Sequence, residues 1–191
     1  MPSFATATFG NPIARFFLPV VNRYSMPRLL EATPAQHPVI QQIAHQTWPS
    51  TFGAILSPAQ IDYMLSWMYS IDALHEQVEQ KGHVFLLAES DTGEPLGFCS
   101  YELHAGGQPV TKVHKIYLLP AAQGQGVGRL LLDAVAARAT EAGDRALRLN
   151  VNRFNKAVSF YEKVGFSVVG QEDIDIGNGF LMEDYIMAKP L

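Results

Sequence analysis

The segment Gln123-Gly124-Gln125-Gly126-Val127-Gly128 places three glycines at alternate positions just before a run with helical apolar spacing. Residues without side chains let backbone N–H groups turn toward an anion and let it approach closely, and the N-terminus of the following helix adds partial positive charge. The chemistry this spacing predicts is binding of a phosphate or pyrophosphate. A merely flexible turn has the same composition, so the surroundings must decide. Two familiar phosphate loops do not fit. A dinucleotide fingerprint needs Gly-x-Gly-x-x-Gly after the first strand of a parallel βαβ unit, whereas Gly-x-Gly-x-Gly here follows the fourth predicted strand. The lysine and hydroxyl that complete a P-loop are also absent. Downstream, Asn155 stands at a predicted helix start, where Asn is commonly a cap. Phe154, Ala157, Val158 and Tyr161 form one helical stripe that would ordinarily be core.

These residues are positioned by elements readable from residue 28 onward. A short strand over 28–31 precedes Thr33-Pro34-Ala35-Gln36, an N-cap with proline at the first helical position and a capping-box glutamine, which predicts a helix to about residue 47. Ser57-Pro58-Ala59-Gln60 repeats the signal, and Ile61, Met64, Leu65 and Met68 fall on one face of a second helix, with a break near Asp72. Three β-type runs over 84–89, 96–104 and 110–119, with turns at Asp91-Thr92-Gly93 and Gly106-Gly107, form an antiparallel meander. Leu130, Leu131, Ala134 and Val135 then mark a helix over 127–142 capped by Gly143. A strand over 146–151, a helix over 155–164 and a hairpin of 166–176 with 180–187 across Asn178-Gly179 complete the chain. Strand, helix, strand through a Gly-rich turn implies neighbouring parallel strands, the fourth and fifth, inside an otherwise antiparallel sheet. The expected class is a mixed α/β (α+β) sandwich with helices on both faces.

With 191 residues and 48% hydrophobic content, the chain can bury roughly two-thirds of its unfolded surface in one domain. Residues 28–191 are assigned to it. Residues 1–27 are an unpatterned extension carrying Pro2, Pro12, Pro19 and Pro27, and a start at Met26 would still supply the whole domain. A net charge of −4 lacks the basic footprint of a nucleic-acid partner. Cys99 is the only cysteine, so an intrachain disulfide is ruled out and a buried thiol in a reducing compartment is expected. The apolar stretch 13–21 is interrupted by Arg15 and Pro19, is too short to span a bilayer and has no basic stretch ahead of it. A cytoplasmic protein without membrane attachment is the expectation.

Between a fourth strand and the following helix, Gln123 through Gly128 match the pattern Gln/Arg-x-x-Gly-x-Gly/Ala, and Asn155, Ala157, Phe160, Tyr161, Gly165 and Phe166 match a second, Asn-x-x-Ala-x-x-Phe-Tyr-x-x-x-Gly-Phe, with one position fewer before the alanine. Both resemble the GNAT superfamily of acyl-CoA-dependent N-acyltransferases, and the likeness runs from about Arg28 to Leu191. It implies acetyl-CoA as cosubstrate and no metal. The backbone N–H groups of Gln123, Gly124, Gln125, Gly126, Val127, Gly128 and Arg129 would hold the pyrophosphate, with Arg129 or Lys163 reaching a phosphate. The pantetheine arm would lie between Ile116-Tyr117-Leu118 and the strand carrying Leu149–Asn152, where splayed strands leave backbone groups for its amides. The Leu118 N–H would face the thioester carbonyl, and Asn155 would bond the arm.

By the same resemblance Tyr161 would be the general acid that protonates the departing thiolate. The histone-acetylating branch carries a glutamate four residues before Ile116, where this chain has Lys112. His114 shares the strand face of Lys112 and Ile116 by period two, and its imidazole titrates in a useful range, so it is the candidate base, with Glu102 acting through water as the fallback. The acceptor would enter among residues 48–56, Tyr63, Trp67 and the carboxylates of Glu172, Asp173, Asp175, Glu183 and Asp184, which favour a cation. The last hairpin is similar to that of bacterial polyamine N-acetyltransferases, which makes a polyamine or other small amine the first acceptor class and a protein lysine or N-terminal amine the second. A CoA-binding sensor without turnover is the reading from another class, against which Tyr161 argues. The exposed hairpin is expected to offer an edge for a homodimer.

Overall fold

A computed structural model describes residues 27–191. The extension up to Met26, with its apolar stretch, therefore lies outside the described residues. One mixed sheet of seven strands runs in the order β1-β2-β3-β4-β5-β7-β6. Its strands are β1 (Arg28–Glu31), β2 (Val84–Glu89), β3 (Pro95–Glu102), β4 (Val110–Leu118), β5 (Ala146–Asn152), β6 (Ser167–Asp175) and β7 (Leu181–Pro190). Only β4 and β5 pair in parallel; every other pair is antiparallel.

Helices cover both faces, as expected. On one side α4 (Val127–Ala142) and α5 (Ala157–Lys163) bury Leu131, Val135 and Tyr161 against Leu86, Cys99 and Leu149. On the other, α1 (His37–Phe52), α2 (Pro58–Tyr69) and α3 (Ile71–Glu79) bury Ile40, Trp48, Leu65 and Leu74 against Phe85, Leu87 and Phe98. The alternation of β2 sorts Leu86 and Ala88 to the first core and Phe85 and Leu87 to the second, as a strand buried on both faces must. Cys99 is fully buried, and burial pushes its thiol up to about 12, so it packs as an inert hydrophobe.

Three helical boundaries differ from the sequence reading, one being α5, which begins at Ala157 rather than 155 because the Asn155 side chain caps the Ala157 N–H. The first helix continues past residue 47 with Pro49 inside it, because Trp48 and Phe52 are buried by that last turn and outweigh one missing backbone hydrogen bond. The break after α2 falls at Ser70 rather than near Asp72: Ser70 is extended, and its hydroxyl accepts from the Ala73 N–H at 3.3 Å to cap α3. At the C-terminus of α4, Gly143 adopts φ 88°, the left-handed cap its residue type predicts.

Candidate active site

Register decides the site. β4 and β5 are paired only from Val110↔Ala146 to Val113↔Leu149, although β4 runs on to Leu118 and β5 to Asn152. Beyond Val113 the two strands diverge. The divergence begins at a bulge: Ser100 pairs with Lys115 but Tyr101 with Val113, so His114 is an extra residue on β4. An extra residue inverts the side-chain alternation. Val113 lies in the core under α4, and after the bulge Ile116 and Leu118 pack there too, while Lys115 and Tyr117 turn to the α1–α3 side. The period-two reading that put His114 on the face of Ile116 is therefore corrected.

In the opened segment the Leu119 N–H donates to the Leu96 carbonyl on β3 at 2.9 Å, so by strand alternation the Leu118 N–H points the opposite way, into the gap. The Leu118 carbonyl accepts from Gln123 Nε2 at 3.2 Å, which ties the strand end to the Gly-rich loop. Gly124 and Gly126 have φ 74° and 82°, a conformation that side chains oppose, and Gly126 is the N-cap of α4. The first-turn N–H groups of α4 have no carbonyl within the helix to pair with and face outward at its N-terminus. Gly128 lies against Phe160 and Leu118; a Cβ there would stand 3.2 Å from Phe160 Cζ and 3.4 Å from Leu118 Cδ1.

Loop, gap and helices enclose a cleft of about 1060 Å³. Of the residues proposed from sequence, His114, Ile116, Tyr117, Leu118, Gln123, Gly124, Gly126, Val127, Gly128, Arg129, Asn155, Tyr161 and Lys163 all line it. Gln125 does not: its side-chain amide folds back onto the Ala121 carbonyl. Arg129 and Lys163 are exposed at the rim with Lys156, a cation the motif comparison passed over. Asn155 serves as a cap, its Oδ1 accepting from the Ala157 N–H at 2.9 Å, which leaves its amide N–H groups for a ligand. The glycines, the unpaired β4 backbone and the rim cations fit an acyl-CoA: pyrophosphate at the loop, an amide-bearing arm in the gap.

Tyr161 is 7% exposed, its ring 5.8 Å from that of Phe166. It is core and cleft wall at once. Burial, reinforced by Tyr117 and Cys99, raises its hydroxyl well above the usual phenol range, so it holds a proton at neutral pH.

His114 is less suited to the role of base. Burial first, then His83, Lys115 and Lys112, lower it to about 2. Its Nε2 lies 3.0 Å from Glu102 Oε2, and since a carboxylate only accepts, that nitrogen carries the hydrogen. Glu102 is thereby occupied and lines a side cavity rather than the cleft. His83, Glu102 and His114 offer ligand atoms within 4.8 Å of one another. The two imidazoles, however, stack at 3.8 Å with planes 18° apart. A metal binds in the plane of each imidazole's lone pair, so rings stacked in this way cannot share one.

On the acceptor side, α2 is tied to the last hairpin. The Tyr63 hydroxyl donates to the Ile176 carbonyl at 2.8 Å, and Gln60 Nε2 to the Leu181 carbonyl at 3.0 Å. Trp48, Phe98 and Tyr69 surround the Tyr117 ring at 5.8–6.2 Å. Two buried ionisable groups line the cleft here. Lys115 donates to Gln77 Oε1 at 2.5 Å, and burial, with Lys81 and Lys112, lowers it to about 7. Asp184 is 6% exposed and is raised to about 6, by burial first and then Glu172. Neither has a motif around it: the bulge in β4 turns Lys115 inward, and the place of β7 between β5 and β6 buries Asp184.

A cleft of this form, at the split of a parallel pair in a seven-stranded mixed sheet, suits an acyl-CoA as ligand. Residues 55–187 match the family described as the acetyltransferase (GNAT) domain, and the chain belongs to that family. It is an N-acetyltransferase that uses acetyl-CoA. It is 32% identical over 124 residues to the peptidyl-lysine N-acetyltransferase YjaB of Escherichia coli K12, covering 57% of this chain and 76% of that one. It is 28% identical over 150 residues to the uncharacterized N-acetyltransferase Rv2669 of Mycobacterium tuberculosis, covering 78% and 94%. Its fold matches the PaiA N-acetyltransferase of Thermoplasma acidophilum, solved in complex with coenzyme A, with a TM-score of 0.73, 25% identity and coverage of 87% and 99%. Among the described residues no helix is long and apolar enough to cross a membrane.

Proposed function

We propose that the enzyme transfers the acetyl group of acetyl-CoA to the primary amine of a small cationic molecule, in the cytoplasm, with Tyr161 as general acid. The observation that carries this reading is the meeting of the unpaired β4 backbone with Tyr161 in one cleft. Gln123 through Arg129 hold the pyrophosphate by backbone N–H groups, and Asn155 and the β4 edge orient the arm. The Leu118 N–H stabilises the oxyanion as the amine attacks, a donor whose removal typically costs about 10²–10³-fold. Tyr161 gives its hydroxyl proton to the departing sulfur.

The carboxylates around the last hairpin support a polyamine less than their number suggests. Asp173 and Glu183 are ion-paired with Arg153 at 2.6 and 3.0 Å, and Glu172 accepts from the Asn150 amide. Asp184 is the one of the five that is buried in the cleft. A protein lysine is the second reading, favoured by the likeness to YjaB. The exposed edge strand β6, with Val168 and Val169 outward, offers a surface for a homodimer. Comparing kcat/KM for small amines, polyamines and lysine-containing peptides tests the acceptor class: a peptide preferred by tenfold or more over every small amine would overturn the small-molecule reading.

A further inference from the structure

Asp184 is a buried acid with an orphaned oxygen. Its Oδ1 is inaccessible to solvent and has no hydrogen-bond partner. Burying an ionised oxygen unpaired is costly, so this carboxylate has an unmet demand for a cation or donor. Its place in the sheet is fixed by pairing with Asn152 on β5 and Glu172 on β6, just past the last rung joining β4 to β5. It thus lines the cleft where the strands part, near enough to Tyr117 to raise that phenol electrostatically.

Among the described residues lining the cleft, Asp184 is the sole carboxylate; Glu172, beside it on β6, lines the side cavity instead and is bonded to Asn150. Trp48 and Phe52 from α1, Met64 and Met68 from α2, and Ile176 and Met182 from the hairpin region form an apolar surround. Lys112 also lines this space and would repel an additional cation. From this juxtaposition we infer that Asp184 is the residue that receives the acceptor's ammonium group and takes its proton, and that the acceptor carries a single amine on an apolar or aromatic body. The inference rests on the acetyltransferase reading above.

The chemistry balances. The ammonium nitrogen passes one proton to the Asp184 carboxylate, which later returns it to solvent. The neutral amine forms the C–N bond at the thioester carbonyl, the C–S bond breaks, and the thiolate takes the Tyr161 proton. The nitrogen's second surplus proton restores the Tyr161 hydroxyl. The sum is ammonium plus acetyl thioester to amide, thiol and one released proton. Two effects narrow the gap between the proton's donor and acceptor: burial makes the carboxylate a stronger base, and the apolar wall weakens the ammonium's hold on its proton. The groups facing Asp184 are Glu172 on β6, Lys112 and Tyr117 on β4, and Asn150 and Arg153 from β5 and the turn after it. Glu172 and Asn150 are bonded to each other, and Arg153 is held by Asp173 and Glu183.

The test uses the full chain with 2-phenylethylamine, hexylamine and spermidine as acceptors, wild type against Asp184→Asn, from pH 5 to 9.5. CoA binding by both proteins, measured by calorimetry, confirms an intact fold. The expected wild type prefers the two monoamines, and its kcat/KM rises with pH through an inflection near 6 to a plateau. Asp184→Asn loses about 10²-fold at pH 7 and, using only free amine, climbs roughly tenfold per pH unit toward the amine's own value near 10. A merely structural residue would not change the slope. Equal activity with an unchanged pH profile in the variant overturns the inference, as does wild-type preference for spermidine, which needs no variant to detect. A wild type that binds CoA and acetylates no amine overturns the underlying acetyltransferase reading instead.

Discussion

Gly97 lies directly opposite Leu118 across the β3–β4 ladder, so close that a Cβ at Gly97 would stand 2.9 Å from Leu118 Cα and 2.5 Å from the Tyr117 carbonyl oxygen. Both contacts are to backbone, which cannot rotate aside. The absence of a side chain at Gly97 therefore sets where the end of β4, and the Leu118 N–H with it, comes to rest. Gly97→Ala is expected to lower melting stability by about 1–3 kcal/mol through overpacking. It should also cost on the order of 10²-fold in kcat/KM for acetyl-CoA, since the displaced donor no longer meets the carbonyl. Thermal melts with steady-state kinetics check both.

Tyr161→Phe keeps the ring that packs on Phe166 and removes only the hydroxyl that carries the proton. Turnover should fall by about 10²–10⁴-fold while CoA affinity, measured by calorimetry, stays within a few-fold. A loss of only a few-fold would remove Tyr161 as the acid.

Asp184 should burden the fold at neutral pH. Its carboxyl ionises near 3.9 in an unfolded chain and at about 6 in the folded one. Between these values the folded state retains a proton that the unfolded state has lost, so stability falls as pH rises through roughly 4 to 6 and is level above, where both states are ionised. Asp184→Asn should accordingly stabilise the protein by on the order of 2–3 kcal/mol at pH 7, and the gain should vanish below pH 4. Chemical denaturation at pH 4 and pH 7 measures it.

The stacked imidazoles act with the opposite sign. His83 and His114 are lowered to about 4 and about 2, so an unfolded chain binds protons at both sites below pH 6.5 that the folded chain refuses. Their contribution is complete above pH 6.5 and is lost as pH falls, down to about 4 for His83 and about 2 for His114. NMR titration should show neither ring protonating between pH 5 and 8, and His114→Asn should leave the inflection of the pH–rate profile where it is.

These expectations also show what a linear reading of the chain could and could not reach. The Gly-rich loop, α4 and the residues of both motifs were legible because each is local: glycine spacing, a 3.6-residue apolar period and a cap are short-range signals. His114 was misplaced because period two assumes an unbroken strand, and a bulge is a property of two strands in register. Asp184 was visible only as one of five acids near a turn. Its burial follows from β7 lying between β5 and β6, an order that no local pattern encodes. Pro49 reads as a helix stop unless the burial of Trp48 and Phe52 is known.

The decisive measurement is thiol release from acetyl-CoA by the purified protein, with and without primary amines. Release that depends on the amine, saturates with it and yields the N-acetyl product is the expected result. CoA binding without amine-dependent thiol release on any amine or lysine peptide would contradict it, leaving a protein that holds the cosubstrate but does not transfer its acetyl group.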